Sequence, residues 1–175
     1  GNAGTTNTLR VLGTKAGLIV LAGDILKCIL AIAAVRLLFA GGVHEDMYYL
    51  LAMYAALGAI LGHDYPFYLG FKGGKGVLVG AGAALATEPL VCAVLLGIFL
   101  IEVAVTRIVS LGSIIIAALY PVGTLINLIA RGANLPTILF STICCVIMAA
   151  MVIWLHRSNI ERLKNGTEYR FGQKK

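Results

Sequence analysis

Lysines and glycines crowd one short interval, Gly62-His63-Asp64-Tyr65-Pro66-Phe67-Tyr68-Leu69-Gly70-Phe71-Lys72-Gly73-Gly74-Lys75-Gly76, with no acid after Asp64. Glycine lets backbone N–H groups approach an anion closely, and a helix starting near Gly76 adds its positive end. Lys72 and Lys75 add the mobile point charges that phosphates attract. The plainer alternative is a Gly-rich turn whose lysines touch lipid headgroups. A nucleotide-binding P-loop is excluded by spacing, since GxxxxGK[ST] needs Gly where Leu69 stands and Ser or Thr where Gly76 stands. The stretch therefore reads as a phosphate cradle of another kind.

The elements that must position this cradle are apolar. The chain is 59% hydrophobic with mean hydropathy +0.93 and only 13% charged, against about 25% charged in soluble domains. Its 175 residues suit one membrane-embedded bundle, all-α and polytopic. The net charge of +6 lies between apolar segments instead of along a polar face, which argues for lipid headgroups or a phosphorylated substrate and against nucleic acid. Cys28, Cys92, Cys144 and Cys145 sit in apolar runs without CxxC spacing and read as small core residues, with no metal site.

Residues 1–10 are polar and Gly-rich, either a leader or a second anion-binding loop with Asn7 and Arg10 as donors. A first span is expected from Gly17 to about Ala40, with Asp24 and Lys27 three apart and able to pair. A second runs from about Tyr48 to Gly62, its Gly58-xxx-Gly62 spacing suited to close helix contact. His63 closes it, as a helix-end hydrogen-bonding group or as a base. Further apolar segments cover 77–87, 90–106, 112–130 (with Pro121 a potential kink) and 136–155, the last ending on Trp154.

Length alone favours a single crossing for 77–106, because a bilayer core of about 30 Å takes about 20 residues per helix. Charge favours two. With a reversal at Glu88-Pro89, Arg10, Lys15, Lys72, Lys75, Arg107 and six basic residues of the tail share one side, and Arg131 stands alone on the other. The positive-inside rule thus selects about six segments, with the basic loops on the cytoplasmic face. That topology gathers the Asn7–Arg10 region, the cradle, the 106–113 loop and the tail from His156. Ser110 and Ser113 there can cap a helix or bind phosphate.

Four motifs in this order, GNxGTTNxLRxLGxKxG, GHxxPxxxxFKGGKGV, TRxVSLGSI and HRxNIxRLxxGxE, cover nearly the whole chain. They resemble the bacterial acyl-phosphate:glycerol-3-phosphate acyltransferases of the PlsY type. The resemblance implies a seven-helix enzyme of the bacterial inner membrane, represented here as a single domain over 1–175 without the first helix and without the Ser-Gly that precedes GN. Val77-Leu78-Val79 departs from the family's Val-Ala-Thr. The implied reaction moves a fatty acyl group from acyl phosphate to the sn-1 hydroxyl of glycerol 3-phosphate, with no cofactor and with a monomer sufficing. Lys75, His156, Asn159 and Glu168 are the implied catalytic residues. Asn7, Arg10, His63, Lys72, Gly73, Gly74, Gly76, Arg107, Ser110 and Ser113 are the implied substrate-binding residues. His156 is open to two roles, proton acceptor or orienter of a phosphate that takes the proton itself. A small-anion transporter is the rival reading, since it too would use Asp24, Lys27 and Glu102 at depth.

Overall fold

The structure, a computed structural model, describes residues 4–39, 41–42 and 45–172. The helices are α1 (Thr5–Phe39), α2 (Glu45–Asp64), α3 (Val77–Thr87), α4 (Pro89–Thr106), α5 (Val109–Ala130), α6 (Leu135–Leu155) and the short α7 (Arg157–Lys164). The six expected apolar segments correspond to α1–α6. Among the described residues α1, α4, α5 and α6 are each long and apolar enough to cross a membrane, and α3 is a shorter apolar helix. The fold is all-α, a multi-pass membrane bundle.

Helices α2, α6, α5, α4 and α3 contact one another in a closed ring, and α1 packs against α2 and α3. Small residues set the approach. A Cβ at Gly82 of α3 would fall 2.6 Å from the carbonyl oxygen of Ile25 in α1, so only glycine permits that contact. The same test finds nothing within 4 Å of Gly58 or Gly62, so the close packing expected at that pair is absent and occurs at Gly82 instead. Pro121 lies inside an unbroken α5.

The chain reverses at Glu88. Its φ of −143° and ψ of 67° end α3, and Pro89 opens α4, where its missing N–H is no loss. Cys92 Sγ then reaches the carbonyl of Ala81, eleven positions back, at 3.7 Å. A continuous helix would hold those positions about 16 Å apart. Residues 77–106 are two helices folded against each other.

The amino-terminal region differs from the expected loop. Asn7 and Arg10 lie on a helical segment that begins at Thr5 and is interrupted at Gly13, where φ is 83° and ψ 179°. That left-handed value suits glycine. Leu9 folds back over Gly17, where any side chain would collide with it. Residues 1–3 of the first motif lie outside the described residues.

Candidate active site

The cradle is pinned to the end of α2 by its own backbone. Gly73 N–H donates to the Asp64 carbonyl and Gly74 N–H to the His63 carbonyl, both at 3.1 Å. A Cβ at Gly73 would collide with the His63 carbonyl, and one at Gly74 with the His63 ring. These amides were expected to face an anion; instead they hold the loop closed. Gly76 caps α3 with φ of 72°, and a Cβ there would lie 3.0 Å from a carboxylate oxygen of Asp64. Asp64 is buried to 1% exposure with neither oxygen hydrogen-bonded, so the protein's own carboxylate lies against the start of α3. The glycines thus make room, and the Lys75 side chain reaches from the loop to α7.

Lys75 Nζ donates to Asn159 Oδ1 on α7. Asn159 Nδ2 donates to Glu168 Oε1 at 2.7 Å, and Ser110 Oγ of α5 donates to the same oxygen at 2.8 Å. Arg162 Nε donates to Glu168 Oε2 at 2.7 Å. Glu168 thereby ties the cradle, the start of α5 and the tail into one cluster. His156, Asn159 and Arg162 recur every third residue, so one face of the α6–α7 junction supplies all three. That spacing could have flagged Arg162, which sequence reasoning left out of the site. Arg10 joins from α1 by stacking its guanidinium over the Tyr169 ring at 3.9 Å.

Arg107 turns the chain between α4 and α5 with φ of 62°, an uncommon value for a non-glycine residue. Its carbonyl accepts from Phe171 N–H at 2.6 Å, which straps the tail across this corner. A cavity of about 290 Å³ opens there among Val105, Thr106, Arg107, Arg170, Phe171 and Gly172. Neither expected serine caps α5, whose first free amide, Ile108 N–H, bonds Thr106 Oγ1 at 3.0 Å. Ser113 Oγ donates to the Val109 carbonyl at 2.8 Å. Lys72 is exposed. His63 lies beneath the cradle, with Lys27 Nζ 3.1 Å from its Nδ1. Asp24 and Lys27 pair as expected, at 2.8 Å.

The electrostatics favour a bound anion. Burial lowers the pKa of the Lys75 ammonium, and the charges of Arg162 and Arg157 lower it further against the opposing pull of Glu168. Burial pushes Glu168 up, but hydrogen bonds from Asn159, Ser110 and Arg162 outweigh it and hold the carboxyl below its usual range. Its negative charge faces a larger positive one. His156 is 4% exposed and burial pushes it down to about 4. Its Nδ1 lies 2.7 Å from the Val152 carbonyl, so the neutral ring carries its proton on Nδ1 and keeps a lone pair on Nε2. Among the described residues no three His, Cys, Asp or Glu side chains are placed to hold a metal ion.

Comparison with known proteins finds relatives in both sequence and fold. Residues 1–166 match the family model described as glycerol-3-phosphate acyltransferase. The glycerol-3-phosphate acyltransferase of Clostridioides difficile is 42% identical over 180 residues, covering 100% of this chain and 80% of that protein. Its counterpart in Synechococcus elongatus is 41% identical, covering 99% and 80%. The crystal structure of PlsY (YgiH), an integral membrane glycerol 3-phosphate acyltransferase, in its glycerol 3-phosphate form superposes with a TM-score of 0.78 at 33% identity, covering 97% of this chain and 78% of that one. The lysophosphatidic acid form of that protein gives a TM-score of 0.77.

Proposed function

Because the chain belongs to the glycerol-3-phosphate acyltransferase family, we propose that it transfers a fatty acyl group from acyl phosphate to the sn-1 hydroxyl of glycerol 3-phosphate. The products are 1-acylglycerol 3-phosphate and inorganic phosphate. The observation that carries the reading is the cationic cluster around Lys75, Asn159 and Glu168, with neutral His156 beside it. Both substrates bear a phosphoryl group, and both find cations: Lys75, Arg162, Arg157, Arg10 and Arg107.

An acyl phosphate is a mixed anhydride, so no enzyme nucleophile is required. The sn-1 hydroxyl oxygen attacks the acyl carbonyl carbon, the carbon–oxygen bond to phosphate breaks, and phosphate departs with the electron pair. The hydroxyl proton passes to His156 Nε2 or directly to a substrate phosphate. The protein's work is to position the two substrates and to neutralise the charge that gathers on the oxyanion and the leaving phosphate. Asn159 and Glu168 hold the Lys75 ammonium in place for that task, and Ser110 braces Glu168. The cavity beside Arg107 suits an amphiphilic donor, since its lining combines Arg107 and Arg170 with the exposed apolar Val105 and Phe171.

The same reading puts the site on the cytoplasmic face of a bacterial inner membrane, in one domain over 1–175 acting as a monomer without a cofactor. The charge bias between the two ends of the bundle supports that orientation. Cysteines introduced at the exposed Lys72 and Lys164 should both react with impermeant reagent only from the cytoplasmic side. Labelling from opposite sides would reject the orientation.

The donor is tested with the complete membrane protein in vesicles, given glycerol 3-phosphate and either acyl phosphate or purified acyl coenzyme A. Phosphate release and 1-acylglycerol 3-phosphate should appear only with acyl phosphate. The nearest His-plus-five acid to the HxxxxD pattern of thioester-using acyltransferases is Glu161 after His156, a Glu where that pattern has Asp. Comparable turnover with acyl coenzyme A would sink the donor assignment.

A further inference from the structure

A second polar cluster lies under the cradle. Asp24 is buried at 4% exposure on α1 and bonds Lys27 Nζ at 2.8 Å. Lys27 Nζ also lies 3.1 Å from His63 Nδ1 on α2, and His63 Nδ1 is 3.5 Å from Asp24 Oδ1. An ammonium has donors only, so in this contact His63 Nδ1 accepts and the ring proton rests on Nε2. The opposite edge of the ring, with Nε2, lies against Gly74, leaving no room for a Cβ. The carbonyl of the same His63 accepts the Gly74 N–H. Gly74 is thus fixed from two sides by one residue, and Lys75 follows it in the chain.

We infer that Asp24 and Lys27 are positioning residues for the acyl transfer: they lock the His63 ring in one orientation and tautomer, and that ring is the floor that sets where Lys75 stands. A simple brace between α1 and α2 would need the Asp24–Lys27–His63 contact but no dependence of the cradle on it. A buried carboxylate such as Asp24 is costly to place in a membrane bundle, and a role at the cradle explains why its partner Lys27 also reaches His63. Second-layer groups of this kind fix the geometry of the groups that touch substrate.

Lys27→Met in the full-length protein, reconstituted in lipid, separates the two cases. The Michaelis constant for glycerol 3-phosphate should rise about tenfold, the scale of one misplaced charged contact, while kcat changes far less. Gly74→Ala should raise it in the same way, and the double variant should be no worse than the more affected single one, since both disturb one arrangement. Nitrogen-15 spectra of labelled histidine, with the His63 signals assigned by His63→Gln, should show a single Nε2–H tautomer in the parent and a mixture in Lys27→Met. If Lys27→Met does not fold, Asp24→Asn supplies the same measurements with the Lys27 steering charge removed. An unchanged Michaelis constant with unchanged His63 signals overturns the inference, as do losses in kcat that add to those of Gly74→Ala. The kinetic arm rests on the acyltransferase reading. Absence of turnover in the parent would count against that reading alone, and the histidine spectra would still decide the inference.

Discussion

Two carboxylates buried at different ends of the bundle make opposite kinds of contact. Glu88, where the chain reverses between α3 and α4, is 2% exposed and accepts from Thr124 Oγ1 at 2.6 Å and Asn127 Nδ2 at 2.8 Å. Its donors are neutral and both belong to α5. Thr124 is fully buried and also lies 3.4 Å from Cys145 Sγ on α6. Glu168 accepts instead from three groups on two elements, Ser110 of α5 and Asn159 and Arg162 of α7, one of them a guanidinium, and it stands among cations that outnumber it. The Glu88 network joins helices and satisfies itself. The Glu168 network satisfies its carboxylate and leaves positive charge over, on a Lys75 whose three donors meet one acceptor, Asn159, among the described residues. Surplus charge of one sign in a partly dry site marks a place built for a partner that brings the other sign.

The sharpest way to break this contrast is Lys75→Ala. Removing one partner of a desolvated charge pair is expected to cost about 2–5 kcal/mol of transition-state stabilisation. That is roughly thirty-fold to several thousand-fold in kcat/KM for glycerol 3-phosphate, measured by phosphate release. The thermal transition should move little. A loss of stability without a loss of turnover would make the cluster a second Glu88.

Some of this was readable from residue types alone. The reversal at Glu88-Pro89 followed from the side on which the cations fall, and the convergence of Lys75, Ser110, Asn159 and Glu168 followed from that reversal. What sequence could not supply was the direction of the groups. Gly73 and Gly74 offer N–H groups that suit an anion equally well as they suit a carbonyl, and only the fold shows them bonded to His63 and Asp64. Ser113 and Ser110 look alike at a spacing of three, yet one turns to its own helix and the other crosses to Glu168. Glu88 read as a helix breaker because its donors lie 36 and 39 positions away. Gly58 and Gly62 have the spacing for close contact but no helix faces them.

Acid sharpens the contrast by adding charge to the end that already has too much. His156 is neutral when folded, with a pKa near 4 against an ordinary value of 6.5. Between those values the unfolded chain binds the extra proton, so stability is fully present above pH 6.5 and falls as pH drops toward 4. At about 1.4 kcal/mol per unit the loss attributable to His156 is about 3 kcal/mol at most. His156→Asn should flatten that slope in thermal scans across the same range. An identical slope in parent and variant would mean the ring is not held neutral.

Glu88→Ala probes the closed end. It leaves the Thr124 and Asn127 donors without their acceptor, at about 1–3 kcal/mol of stability. The Michaelis constant for glycerol 3-phosphate should stay within twofold or so of the parent's, because the network ends on α5 and α6 and not at the cradle. A large kinetic effect with an unaltered melting temperature would reverse the roles assigned to the two ends.

The smallest expected effect separates a shaped site from a merely basic face. Lys174, the distal lysine that sequence alone would choose as the control, lies outside the described residues. Lys164, in the last turn of α7, is exposed and carries the same charge as Lys75. If positive charge near the membrane were sufficient, the two lysines would be nearly interchangeable. Water and salt screen an exposed ammonium, so its pairwise interactions are worth about 0–1 kcal/mol. Lys164→Ala should therefore change kcat/KM by no more than about twofold, and that change should shrink further as salt rises from 50 to about 300 mM. The Lys75→Ala loss should persist over the same salt range, since burial shields its contacts from the electrolyte. Equal, salt-sensitive losses from both substitutions would return the Gly-Lys stretch to an ordinary interfacial turn.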